Sequence, residues 1–107
     1  MTNDEMRTTM DFLYSERVQG LPVAALAEVF DRLIWCLADN GASLLHVRES
    51  WLKSAEKDRV GVALAMDETY PFNDVTEMQR VFAKITERWP EFQSRCTELL
   101  EARRKEG

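Results

Sequence analysis

The side chains best suited to chemistry are one histidine, His46, and two cysteines, Cys36 and Cys96. A zinc site built from all three would still need a fourth ligand, and no CxxC or HxxxH spacing accompanies them. A Cys–His nucleophile has little more support, because Cys96 falls on a predicted apolar helix stripe and Cys36 has no characteristic neighbours. We therefore expect no catalytic residue, no metal and no cofactor, and a protein that is not an enzyme.

The sequence gives a nucleotide-binding site little support either. Residues 60–68 (VGVALAMDE) look like a Walker B segment, an apolar run that ends in two acidic residues. The phosphate-binding partner motif GxxxxGK[ST] is missing, and the 4 glycines of the chain are too scattered to form a glycine-rich loop. Such an apolar run followed by an acid is common by chance, so we reject a nucleotide site.

Length and composition favour one ordinary helical domain over residues 1–107. The chain is 45% hydrophobic and 31% charged, and it has only 4 glycines and 3 prolines. No apolar run approaches the roughly 20 residues that span a bilayer, and the first twenty residues do not resemble a secretion signal. We expect a cytoplasmic protein with no membrane association and with both thiols reduced.

The element around which the fold is predicted to form is a central helix at about 22–39. Pro22 fits the first helical position, and Gly41 fits the left-handed residue just past a helix end. The apolar positions between them follow the three-then-four spacing of one helix face. These positions are Val23, Leu26, Ala27, Phe30, Leu33, Ile34 and Leu37.

Further helices are predicted on both sides, which makes the fold class all-α, with five or six short helices. Residues 59–68 alternate like a strand but contain better helix formers, and we favour a short helix over a strand there. Asp74 caps a later helix that ends near Pro90, and a last helix follows. The charged tail at about 102–107 is expected to fray.

Two surface features are candidates for partner binding. The first is the side of the central helix opposite its core face. It carries Glu28, Arg32, Trp35 and Asp39, and a tryptophan among charges is typical of an interface anchor. The alternative is that Trp35 packs in a second layer of the fold.

The second feature is an acidic segment from Val60 to Gln79, which contains no basic residue. Its acids, expected to contact a basic partner, are Asp67, Glu68, Asp74 and Glu77. The alternative is a solvated loop with ordinary helix caps. The net charge of −5 argues mildly against duplex-DNA binding and is compatible with a basic protein partner.

These observations predict a non-enzymatic binding protein that blocks a surface of a larger nucleic-acid-handling protein. In gross features the chain is similar to small phage- or plasmid-encoded inhibitors, including anti-CRISPR proteins, and this likeness of class assigns no role to any residue. One alternative is a helix-turn-helix transcriptional regulator that uses Val23–Asn40 and Ser43–Lys57. Another is a structural subunit that homodimerises through Trp35.

Overall fold

Helices account for all the regular structure in this computed structural model, which describes residues 2–67 and 71–106. No strand occurs among the described residues, so the predicted all-α class is confirmed. In chain order the elements are α1 (Asn3–Glu16), α2 (Val23–Ile34), α3 (Ala42–Leu52), α4 (Lys57–Ala65), α5 (Val75–Arg88), a 3₁₀ turn (Pro90–Phe92) and α6 (Gln93–Glu106).

The segment whose type was ambiguous in the sequence is the helix α4. Its residues Val60 to Leu64 are all buried, and it packs against α2, α3 and α6. The strand alternative is wrong for a simple reason. An alternating apolar pattern also arises in a helix that neighbours cover on nearly every side.

The helix predicted to be central, at about 22–39, ends much earlier than expected. α2 stops at Ile34, and residues 35–41 turn back towards the core. Asn40 and Gly41 both adopt left-handed conformations, with φ values of 57° and 82°. Gly41 is the N-cap of α3 instead of the residue that ends the preceding helix.

The turn that follows α2 packs closely against the end of that helix. A Cβ atom on Gly41 would lie 2.8 Å from Cγ2 of Ile34, so the turn passes directly over the last residue of α2. α2 also has an exposed side, whereas α4 is enclosed by its neighbours. The most central helix of the fold is therefore α4.

The C-terminal part follows the sequence expectations closely. Asp74 caps α5, its Oδ1 accepting the Thr76 N–H at 2.9 Å, and Pro90 follows the end of that helix. α5 packs on α6, and α6 contacts α4. The helix α6 extends to Glu106, and the fraying expected at 102–107 stays a prediction.

Candidate functional site

Trp35 lies at the C-terminal end of α2 and projects into solvent. Its side chain is 72% exposed, the highest value among the large hydrophobic residues that lie on the described surface. The helix closes just beyond it, where the Cys36 N–H donates to the Leu33 carbonyl at 3.0 Å. Trp35 does not pack in a second layer of the fold.

Two predicted partner-binding residues lie beside it on α2. The Arg32 Nη2 and Glu28 Oε1 atoms form an ion pair of 3.0 Å one helical turn apart, and both side chains are mostly exposed. Val29, also exposed, adds apolar area to the outward side of the helix. We call Glu28, Val29, Arg32 and Trp35 the Trp35 surface.

Asp39, the fourth residue predicted for this region, has a structural role in the turn. Its Oδ1 accepts the Gly41 N–H at 2.9 Å, and its Oδ2 accepts the Ser43 N–H at 3.1 Å. The hydrogen bond from the Ser43 N–H, followed by that from the Gly41 N–H, lowers the pKa of the Asp39 carboxyl group. Asp39 thus holds the segment that carries the chain from Trp35 into α3.

The predicted acidic contact is largely engaged within the chain. Asp67 pairs with Arg95 at 3.2 Å, and Glu77 pairs with Lys53 at 3.2 Å. Asp74 is the N-cap of α5, and Glu68 lies outside the described residues. Two of these acids are therefore matched by a nearby cation, which reduces the negative potential they present to a partner.

Sequence reasoning missed a buried arginine, Arg48 of α3, whose side chain is 0% exposed. Its Nε donates to the Ala63 carbonyl at 2.8 Å, and its Nη2 donates to the Met66 carbonyl at 2.7 Å. From α6, Arg95 donates to the Leu64 carbonyl at 2.7 Å. Two arginines from different helices therefore bind the carbonyls at the end of α4, where a helix leaves its acceptors unpaired.

A buried carboxylate, Asp31 of α2, completes this polar cluster. It accepts the Asp67 N–H, with distances of 3.0 and 3.3 Å to its two oxygens. Burial lowers the pKa of Arg48 to about 10, while the negative charge of Asp31 opposes that shift, so the guanidinium stays charged at neutral pH. The sequence carried a signal for this, because Arg48 is spaced four residues from both Leu44 and Leu52 on the core side of α3.

The residues first considered for chemistry are dispersed. His46 and Cys36 are exposed, whereas Cys96 is buried, and burial raises the pKa of its thiol. Within residues 2–67 and 71–106, no group of three or more histidine, cysteine or acidic side chains could hold a metal ion. The best-formed candidate is thus an interaction surface, the Trp35 surface.

Comparison with models of known families, with characterised proteins and with solved structures finds no match to this chain. Over the described part of the chain, none of the helices combines the length and apolar character that crossing a membrane requires.

Proposed function

We propose that the protein is a non-enzymatic binding protein that occupies a surface of a larger protein, with Trp35 as its anchor. The observation that carries this proposal is the 72% exposure of Trp35 beside the Glu28–Arg32 ion pair. Tryptophan and arginine are the residue types most enriched among interface hot spots. An exposed tryptophan of this kind buries a large apolar area when a partner covers it.

A comparison with Trp51 supports this reading. Trp51 is only 3% exposed and makes edge contacts with Tyr14 and Phe30, at ring-centroid distances of 5.5 and 5.7 Å. The Trp51 side chain packs in the core, whereas the Trp35 side chain contributes little to packing. An exposed tryptophan that folding does not require is better explained by binding.

The partner that we propose has a basic surface, such as the nucleic-acid-binding face of a larger nucleic-acid-handling protein or complex. The net charge of −5 favours approach to such a face. Asp67, Glu68, Asp74 and Glu77 would add to this attraction, although the internal ion pairs of Asp67 and Glu77 limit their share. Such an accessory factor would act by blocking the surface, as phage-encoded inhibitors of the anti-CRISPR class do.

The helix-turn-helix alternative has less geometric support. The connection between α2 and α3 spans residues 35–41, longer than the three to four residues usual in that motif. α3 would be the recognition helix, but it buries Leu44, Val47 and Trp51 in the core. A homodimer is the better second candidate, because Val29 and Trp35 could meet the same side of a second copy.

Affinity capture from cell lysate tests the proposal, with nuclease treatment and mass spectrometry. We expect wild type to retain a nuclease-resistant protein partner and Trp35→Ala to bind it at least about 10-fold more weakly, as for a hot-spot residue. The matched control is Phe12→Ala, which truncates another exposed aromatic, 62% exposed, on α1. This control is expected to bind like wild type.

Three results would argue against the proposal. Equal capture by Trp35→Ala and wild type would remove Trp35 as the anchor. Recovery only through duplex DNA would favour the regulator. A concentration-dependent dimer in sedimentation equilibrium, dissociated by Trp35→Ala and accompanied by no other protein, would favour the homodimer.

A further inference from the structure

A groove separate from the Trp35 surface lies between the end of α3 and the outer side of α5. It encloses about 390 Å³, which is within the range of ligand sites. Its floor is apolar, formed by Leu52, Val81, Ile85 and the half-buried Trp89. The floor alone would suit many apolar ligands, so the charges on its walls decide what it could bind.

Those walls are basic. Arg80, Lys84 and Arg88 follow one another at four-residue intervals along α5, which places them about 6 Å apart along the helix axis. Lys53 lies on the opposite wall and pairs with Glu77. In the described part of the chain, the three α5 cations make no ion pair, so their charge is available to a ligand.

Trp89 gives the groove an aromatic element. The Arg88 guanidinium carbon lies 4.9 Å from its ring centroid, and the Phe92 ring packs against it edge-on at 6.2 Å between centroids. Phe92 therefore packs against the indole from one side, and the Trp89 residue as a whole is half-buried. A planar base could stack on the indole in place of the Arg88 guanidinium, which would then be free to bind a phosphate.

We propose that this groove binds single-stranded nucleic acid, with successive phosphates along α5 and a base against Trp89. A row of cations beside an aromatic platform is the arrangement by which proteins bind single strands without reading sequence. The three cations extend along two helical turns instead of converging on one point, which fits a run of phosphates better than a single one. An acidic peptide would use the cations but would gain nothing from the stacking platform.

The test is fluorescence anisotropy with a labelled oligothymidylate of about 12 nucleotides at about 50 mM salt. The double variant Arg80→Gln/Lys84→Gln is expected to bind at least 10-fold more weakly. The slope of log affinity against log salt is expected to fall by about 1.4, because two phosphate contacts are lost. The matched control is Arg104→Gln/Lys105→Gln, which removes the same charge from exposed positions on α6.

Trp89→Leu tests the stacking contact while it keeps an apolar side chain on the groove floor. We expect about a 5- to 10-fold loss of affinity with an unchanged salt slope, provided that the circular dichroism spectrum is retained. Trp35→Ala is expected to leave oligonucleotide binding unchanged, which separates this proposal from the proposed function.

Several results would overturn the inference. No oligonucleotide binding at low salt would remove it outright. Equal loss in the α6 control would show that net charge, not the groove, determines binding. If a mononucleotide bound with equal affinity, the ligand would be a small anion instead of a single strand. If polyglutamate competed equally well, the ligand would be an acidic peptide.

Discussion

Arg48 and Trp35 each occupy an environment that side chains of their type usually avoid. Arg48 carries a charge and is 0% exposed, whereas Trp35 is large and apolar and is 72% exposed. Each departs from the usual distribution of residues between interior and surface. The two residues differ in the contacts that the folded protein makes with their side chains. That difference separates a structural role for Arg48 from the binding role proposed for Trp35.

The buried arginine is fully explained by its surroundings. Its donors bind the Ala63 and Met66 carbonyls, and the Asp31 carboxylate lies close enough to favour its charge. A buried charge is tolerated only with such partners. The exposed tryptophan has no comparable set of contacts, so its position points outwards to a partner. Three predictions test this contrast.

The largest effect is expected for Arg48→Met, which keeps the length of the side chain but removes its charge and donors. The Ala63 carbonyl would lose its arginine donor, the Met66 carbonyl would keep only Arg95, and the buried Asp31 carboxylate would lose the nearby cation. We therefore expect the free energy of unfolding to fall by about 3–5 kcal/mol. Urea denaturation followed by circular dichroism measures this loss. The control Arg104→Met, at an exposed position, is expected to change stability by less than about 0.5 kcal/mol. If the two variants proved equally stable, Arg48 would not hold the end of α4.

An intermediate effect is expected for Gly41→Ala, in the turn that follows Trp35. The new alanine would have to adopt a left-handed backbone conformation, and its Cβ atom would lie 2.8 Å from the Ile34 side chain. We therefore expect the free energy of unfolding to fall by about 2–4 kcal/mol. Gly20→Ala is the matched control, because Gly20 has a φ of 84° but nothing within 4 Å of a new Cβ atom. We expect about 1–2 kcal/mol there, from the backbone alone. Thermal or urea unfolding of both variants separates the two causes, and equal losses would eliminate the clash with Ile34.

The smallest effect is expected on acidification, in the turn that follows Trp35. The pKa of Asp39 is lowered below its ordinary 3.8, so its support of the turn is complete above that pH and is lost as the pH falls through the lower folded-state value. We expect the Gly41 and Ser43 amide signals in NMR spectra to titrate with a midpoint below 3.8. Arg48, with a pKa of about 10, stays charged throughout. Asp39→Asn is expected to abolish the titration, and a midpoint at or above 3.8 would show that the hydrogen bonds from Ser43 and Gly41 do not stabilise the carboxylate.

Helix identity could be predicted from the sequence because it depends on local pattern. The apolar spacing of α2 and α5 and the Asp74 cap are signals within a few residues of each other. The end of α2 could not be predicted in this way. The apolar pattern continues to Leu37, whereas the chain turns after Ile34 and packs Gly41 against that residue, a tertiary contact that the local pattern does not contain.

The candidate sites were predicted less evenly. Trp35 was identified from its place among charges, but its exposure depends on which helices cover α2. The acids were identified from composition, yet the cations that pair with Asp67 and Glu77 come from α6 and α3, distant in sequence. The groove beside Trp89 also combines α3 with α5. Pairings of this kind follow from the three-dimensional arrangement alone.

The arginines at the end of α4 have a consequence for how the molecule opens. Arg48 reaches this point from the N-terminal half of the chain and Arg95 from the C-terminal half, and both donate to the Met66 carbonyl. If α6 separated from the other helices, Arg95 would lose its hydrogen bonds to the Leu64 and Met66 carbonyls. These carbonyls lie next to the buried guanidinium of Arg48. Partial unfolding is therefore penalised at a site that both halves share. We expect the two halves to lose structure in one cooperative step, with the slowest amide hydrogen exchange in α3 and α4.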